Sequence, residues 1–346
     1  MVPSWKQQVE RFCHQYFQLE TILTFPDAQF LRLDEAQDEI YHRMFNEEKS
    51  GIGPPDRYRV KTLKELVSRI ESSIDDWDKF AISDDIMSAF STMMSTPLLS
   101  EVASAQRKCY VTYHLSLLNC GLQSTQDKDT FANPSITLLE HRNLLAAGGT
   151  TGLRTWEAAL HMGQYLCLNP SLVRGKRVLE LGAGTGYISI LCVKHLKAAH
   201  AIASDGSDDV VNNLPDNLLL NGIQDFSRVR PMDIKWGHAL VGTEEAQWNG
   251  GRLVDVVLGA DITYDQGVIP ALITTLFELF DLYPKVQVFI SATERNVETY
   301  QAFLHVSRQR NLSVELLRSE VPPRSQQNGP FYNDEVAIHL CRVSKI

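Results

Sequence analysis

Four strand-like runs in this chain end in residues suited to chemistry. "RVLELGAGTGYISI" places Glu180 two residues ahead of Gly182, with Gly184 and Gly186 following at alternate positions. "AIASD" ends at Asp205, and "RVRPMDIKWG" carries Asp233 and Trp236. "DVVLGADITYD" runs apolar up to Ala260 and then breaks into Asp261, with Tyr264 three residues on. Alternate glycines allow a sharp turn and a close backbone approach to a ligand. A helix beginning just after them offers unpaired N–H groups. Each residue also has an ordinary use: Asp261 as a helix N-cap, Tyr264 as a core aromatic, Asp233 and Trp236 as a surface turn.

The spacing of the glycines separates two ligand classes. A dinucleotide fingerprint reads G-x-G-x-x-G, whereas here the pattern is G-x-G-x-G, with Tyr187 at the position of the last glycine. A carboxylate at Glu180 repels a pyrophosphate but suits a ligand bearing an ammonium and a sulfonium, which is S-adenosylmethionine. Asp205, at the end of the next strand, can accept from both ribose hydroxyls, and so supports an adenosine without choosing between cofactors. Asp233 can accept from an adenine amino group, and Trp236 can stack on the ring or wall it off.

The elements that must position these groups follow from the hydrophobic pattern. Residues in "VERFCHQYFQLETIL", "FLRLDEAQDEIYHRMF", "VKTLKELVSRIESSI" and "SDDIMSAFSTMM" repeat at spacings of three and four, which predicts helices. "SGIGPPDR" interrupts the series, since two glycines and two prolines cannot continue a helix. "KCYVTYHLS" alternates like a strand, and the polar run over 121–134 reads as a linker. Residues 1–125 are therefore expected to form a helical N-terminal domain, and 126–346 a second one. In the second, "RVLELG", "AIASD", "RVRPMD", "VDVVLGAD" and "VQVFISAT" alternate with helical segments, which predicts an α/β, Rossmann-like, mostly parallel sheet. "SVELLRSE" and "EVAIHLCRV" have no helix pattern between them and read as an antiparallel edge pair. Pro215, inside "SDDVVNNLPDNLLLNG", is expected to kink or restart its helix.

Bulk properties exclude several classes. With 346 residues, 44% hydrophobic content and a formal charge of −9, the chain is a poor candidate for general nucleic-acid binding. The six scattered cysteines form no C-x-x-C pair, and no metal site is expected. No signal peptide and no run of ~20 apolar residues is seen, so a cytoplasmic protein without membrane contact is expected. Nothing signals an obligate interface, and a monomer is expected.

"VLELGAGTG", the Asp205 strand end, "MDIKW" and "GADITYD" resemble the motifs of class I, seven-β-strand S-adenosylmethionine-dependent methyltransferases. The D-x-x-Y of Asp261 to Tyr264 resembles that of protein lysine methyltransferases acting on folded, non-histone proteins. "GGTTGLRTWEAALHMGQYL" (148–166) is similar to the T-G-x-x-T-W segment of eukaryotic elongation factor 2 lysine methyltransferases, and "LLLNG" and "ATERN" fit that subfamily. The resemblance covers roughly residue 136 onward. It implies a strand order 3-2-1-4-5-7-6 with the last strand antiparallel, and Trp156 against the cofactor. Glu180 is then near the cofactor's methionine end, and "DITY" sits where the methyl group meets its acceptor. The implied cofactor-binding set is Trp156, Glu180, Gly182, Gly184, Gly186, Asp205, Asp233, Trp236 and Ala260, with Asp261 and Tyr264 as the catalytic pair. The implied substrate is elongation factor 2, its choice shaped by the N-terminal helices. A methyltransferase of RNA, of small molecules or of another protein, or an inactive binding module of the same fold, stays open.

Overall fold

The computed structural model describes residues 3–46, 53–100, 107–121, 134–141, 151–238, 240 and 253–346. Most of the expected linker, 122–133, and the first residues of "GGTTGLRTW", 148–150, lie outside these, as do 50–52 of "SGIGPPDR". Contacts divide the chain into two compact units. The first holds Met1–Ser116 together with Leu139–Asn143 and Asn328–Phe331; the second holds Leu117–Leu138, Leu144–Gln327 and Tyr332–Ile346.

The first unit is helical: α1 (Trp5–Phe17), α2 (Ala28–Leu31), α3 (Asp34–Met44), α4 (Asp56–Ser73) and α5 (Asp84–Ser95), followed by strand β1 (Cys109–His114). α1 opens on a capping box between Ser4 and Gln7. Val9, Phe12, Tyr16, Ile40, Leu63, Leu66 and Ile70 recur at helical spacing because they form one buried core. The expected first helix stops early, at Phe17. Leu19 turns to φ +58°, and Ile22, which continues the chain beyond that break, is exposed. The second expected helix is two helices, broken at Arg32, whose guanidinium pairs with Asp75 at 2.8 Å. At α5, Ser83 holds the N-cap position without a side-chain cap bond; its backbone N–H donates instead to Gln37 Oε1 at 2.8 Å.

β2 (Ser135–Glu140) is divided between the two units after Leu138, and the sheet unit continues with α6 (Glu157–Leu168), β3 (Arg177–Leu181), α7 (Tyr187–Ile190), β4 (His200–Asp205), α8 (Asp208–Leu220), β5 (Val229–Asp233) and β6 (Val256–Ala260). α9 (Ile269–Leu282), β7 (Gln287–Thr293), α10 (Val297–Gln309), β8 (Leu312–Leu316) and β9 (Ile338–Lys345) complete it. Seven strands lie in the order β5-β4-β3-β6-β7-β9-β8. All neighbours up to β7 are parallel, and β9 is antiparallel to both β7 and β8. This is the expected order 3-2-1-4-5-7-6.

β3 and β6 are central and covered on both faces, which is why their sequences run apolar without alternation. Leu179, Val257, Leu272, Leu276 and Ile290 belong to the core beneath them. α8 runs unbroken through Pro215, contrary to expectation. Val210, Leu214 and Leu218, four residues apart, are fully buried on one stripe. That packing offsets the roughly 3 kcal/mol cost of an interior proline.

Candidate functional site

The carboxyl ends of β3, β4 and β6 open into one cavity of about 560 Å³ within the sheet unit, the size range of a cofactor pocket. A position beyond the strand ends is the general site for ligands in open α/β sheets.

The loop after β3 makes the floor. Gly182 has φ +65°, and a Cβ there would stand 2.7 Å from Ile262 Cγ2, so neither the backbone angle nor the space admits a side chain. Gly184, at φ +53°, would put a Cβ 3.0 Å from the Gly152 carbonyl. Two neighbours hold this loop. Asn217 Nδ2 of α8 donates to the Thr185 carbonyl at 2.9 Å, and the Thr185 and Thr155 hydroxyls are 2.7 Å apart.

Two carboxylates face the cavity from the strand tips. Glu180 is 3% exposed, and its Oε2 accepts from the Ser189 N–H at 2.9 Å and the Ser189 hydroxyl at 2.5 Å. Burial pushes its carboxyl up to about 7, against the pull of the Ser189 bonds. Asp205 accepts from the backbone of Gly184 (3.1 Å) and Ser207 (3.0 Å). Burial also raises its pKa, with these bonds opposing.

Just beyond the end of β6, Asp261 adopts φ +53°, a left-handed conformation that aspartate tolerates better than most residues. Its side chain is 7% exposed. Oδ1 accepts from the Thr293 N–H at 2.9 Å, and Oδ2 from the Thr293 hydroxyl at 3.1 Å and from Arg295 Nη2 at 3.2 Å. A carboxylate has about four acceptor sites, so three are taken. Tyr264 lines the same cavity with its side chain open to solvent, the residue being 56% exposed.

Trp156 and Trp236 supply aromatic wall. The Trp156 indole donates to the Thr151 carbonyl at 3.0 Å. Trp236 Nε1 is buried and has no hydrogen-bond partner among the described residues, so a donor waits beside the cavity. Ala260 lines it at the end of β6.

The cavity therefore joins Trp156, Glu180, Gly182, Gly184, Asp205, Trp236, Ala260, Asp261 and Tyr264. It does not take in Gly186 or Asp233. Gly186 starts α7 at φ +84°, packed toward Leu214. Asp233 is exposed and pairs with Lys235 at 3.3 Å, and the wall beside it is made by Ile234 and Lys235. Arg295, Glu157, Thr293 and Ser189 carry no assignment in the sequence reading. Arg295 lies inside "ATERN", a segment noticed only for its resemblance.

These residues fit S-adenosylmethionine. Carboxylates sit at the ends of β3 and β4, glycines without room for side chains lie between them, and an unpartnered indole N–H borders the space. Glu180 would face the ligand's ammonium, Asp205 its ribose, and Trp156 and Trp236 its apolar faces.

Residues 139–309 match the lysine methyltransferase family. Over 345 residues, 100% of both chains, the sequence is 55% identical to protein-lysine N-methyltransferase EFM3 of Chaetomium thermophilum. It is 32% identical over 237 residues to protein-lysine N-methyltransferase EEF2KMT of Homo sapiens, covering 64% of this chain and 68% of that one. It is also 32% identical over 212 residues to protein-lysine N-methyltransferase EFM3 of Saccharomyces cerevisiae, covering 55% and 60%.

Proposed function

We propose, from the premise that this chain belongs to the lysine methyltransferase family, that it methylates a lysine ε-amine of elongation factor 2 and that Asp261 receives the acceptor. S-adenosylmethionine is the methyl donor and supplies, when bound, an electrophilic methyl group on a sulfonium. The observation that carries the assignment of Asp261 is its geometry: a carboxylate fixed by three donors at the tip of the central strand β6, on the wall of the same cavity as Glu180 and Asp205.

A lysine ammonium, with a pKa of ~10.4, has no lone pair to attack with. The site must hold it in line and favour its neutral form at the moment of transfer. A desolvated slot lowers a lysine's pKa, whereas a neighbouring carboxylate raises it. Asp261 therefore orients the arriving nitrogen through its remaining acceptor position, and proton loss is left to water. Tyr264, at the open side, confines the acceptor and can hydrogen-bond the amine. Alignment supplies most of the acceleration, and exclusion of water strengthens it.

The choice of elongation factor 2 is supported by the T-G-x-x-T-W segment, which resembles that of elongation factor 2 lysine methyltransferases. Thr151, Gly152, Arg154, Thr155 and Trp156 of that segment line the cavity. The helical first unit is assigned to substrate recognition, and the enzyme is taken to act as a cytoplasmic monomer on protein rather than nucleic acid. No helix among the described residues is long and apolar enough to cross a membrane.

The test incubates the protein and labelled S-adenosylmethionine with cytosolic extract from cells lacking it. One labelled band at the size of elongation factor 2 is expected, lost in Asp261→Asn, with cofactor affinity kept within a few-fold. Asparagine is the better substitution because alanine at φ +53° adds about 1–2 kcal/mol of backbone strain. Label in RNA or small molecules, or none despite cofactor binding, overturns the proposal. Collapse of cofactor affinity in Asp261→Asn would remove Asp261 from the acceptor role.

A further inference from the structure

Arg295 follows β7 in the turn that leads into α10, and its side chain joins three parts of the cavity wall. Nη2 donates to Glu157 Oε2 at 2.6 Å, in the first turn of α6, and to Asp261 Oδ2 at 3.2 Å, at the tip of β6. The guanidinium carbon stands 4.9 Å from the centre of the Trp156 ring. The turn itself is hydrogen-bonded: the Arg295 N–H donates to the Thr293 carbonyl at 2.9 Å, and Asn296 caps α10 through its side chain. Arginine alone among cations can serve two carboxylates from a planar fork while lying near an indole face. Without it, two carboxylates share one Nη2-sized gap with no cation between them, and Asp261, nearly buried, faces the repulsion.

Stability is a poor explanation for the arrangement. Arg295 is 39% exposed and Glu157 24%, and a pair this open contributes little, while Asp261 is already held by the Thr293 N–H and hydroxyl. What the arrangement does set is charge. Glu157 and Asp261 carry two formal negative charges and Arg295, paired with both, one positive; Arg154, whose guanidinium carbon stands 5.1 Å from the centre of the same Trp156 ring, adds a second positive charge to this wall.

We infer that Arg295 is a positioning residue for methyl transfer: it fixes the Asp261 carboxylate and screens it from Glu157, so that Asp261 is held in place to meet the lysine ammonium. The inference rests on the proposed lysine acceptor at Asp261. Glu157 is the counterweight, supplying the second charge and anchoring the guanidinium from α6. The arriving ammonium takes the acceptor position on Asp261 that Thr293 and Arg295 leave open.

Steady-state kinetics on wild type, Arg295→Ala, Arg295→Lys and Glu157→Gln test this, using whichever protein the wild-type enzyme labels on lysine in cytosolic extract, with cofactor Kd measured separately by calorimetry. The wild-type reaction judges the proposed function by itself: no labelled lysine in any protein overturns both that reading and this inference. Given a labelled lysine, Arg295→Ala is expected to lose roughly 100-fold in kcat, the scale of a misplacement by about an ångström. KM for the protein should not rise, and cofactor Kd should stay within a few-fold. Guanidinium ion added to Arg295→Ala should restore part of the rate, and Arg295→Lys should recover less than wild type. Glu157→Gln, which removes one of the two carboxylate charges, should instead raise KM for the protein. A raised KM with intact kcat in Arg295→Ala would place the side chain on the docking surface and overturn the inference. So would a cofactor Kd change that accounts for the whole loss, or a lowered Tm with no guanidinium rescue.

Discussion

At the scale of single residues, Glu180 shows how the site spends burial on binding. Its carboxyl is raised by desolvation to about 7 from an ordinary 4.5. The fold therefore favours the protonated form. Stability from this group is full below the unfolded value of 4.5 and is lost as pH rises through about 7, a loss on the order of 3 kcal/mol. A cationic ligand favours the ionised form, so binding has the opposite sign. Glu180→Gln is expected to gain Tm over wild type as pH climbs from 4.5 to 7, with no advantage below 4.5. Wild-type affinity for S-adenosylmethionine should rise over the same interval, with proton release seen by calorimetry in two buffers, and the variant should show neither. A flat wild-type affinity profile would place Glu180 away from the ligand's charged end.

The same scale shows which residues a sequence can reveal. Alone, a carboxylate ending an apolar run serves equally as a helix N-cap; Asp261 is legible as a candidate because the cofactor motifs stand in the same chain. Its partner Arg295, 34 residues later, is not. Their meeting depends on β6 lying beside β7 with Ala260 opposite Ser291, a register that no local pattern states. Asp233 is the converse case. It stands opposite Asp205 on neighbouring strand ends, yet its side chain pairs with Lys235 in solvent, while Asp205 turns to the loop amides. Position at a strand end does not fix the direction of a side chain.

At the scale of elements, the parallel sheet was legible because buried strands and amphipathic helices have different periods. The fate of Pro215 was not, because a tertiary stripe of Val210, Leu214 and Leu218 outweighs a local helix breaker. α8 also reaches the site: Val210 packs toward Gly152 and Leu214 toward Gly186, and one polar side chain on its buried face bonds the glycine loop. Asn217 is fully buried and donates to the Thr185 carbonyl, and so holds the loop that carries Gly182 and Gly184. Asn217→Ala leaves that carbonyl short of a donor in a buried setting, at a cost of about 1–3 kcal/mol. Weaker binding of S-adenosylmethionine is expected, with kcat at saturating cofactor close to wild type, since the acceptor wall on β6 and β7 is untouched. A fall in kcat at unchanged cofactor Kd would show that α8 reaches the acceptor side after all.

At the scale of the whole molecule, the first unit is not a simple N-terminal piece. It includes residues 328–331, for which the sequence carries no sign of kinship with residues 1–116. The link is made by side chains bonding to backbone, which leaves no hydrophobic period to read. His14 Nδ1 lies 2.8 Å from the Asn328 carbonyl, and the Gln18 carboxamide both donates to the Phe331 carbonyl and accepts from its N–H at 2.8 Å. Deleting residues 1–135 would therefore strip partners from a segment that stays behind, and lost activity would not isolate a recognition role. Gln18→Leu is a cleaner cut. It removes both bonds to Phe331 and should cost about 2 kcal/mol, with two buried backbone groups left unpaired. Hydrogen exchange should quicken together in α1 and around Phe331, while β3, β4 and β6 keep their protection. If the helical unit selects the substrate, KM for the protein substrate should rise with the Kd for S-adenosylmethionine unchanged. Faster exchange in the helical unit at an unaltered KM would take that unit out of recognition, and the choice of substrate would then fall to the cavity wall itself.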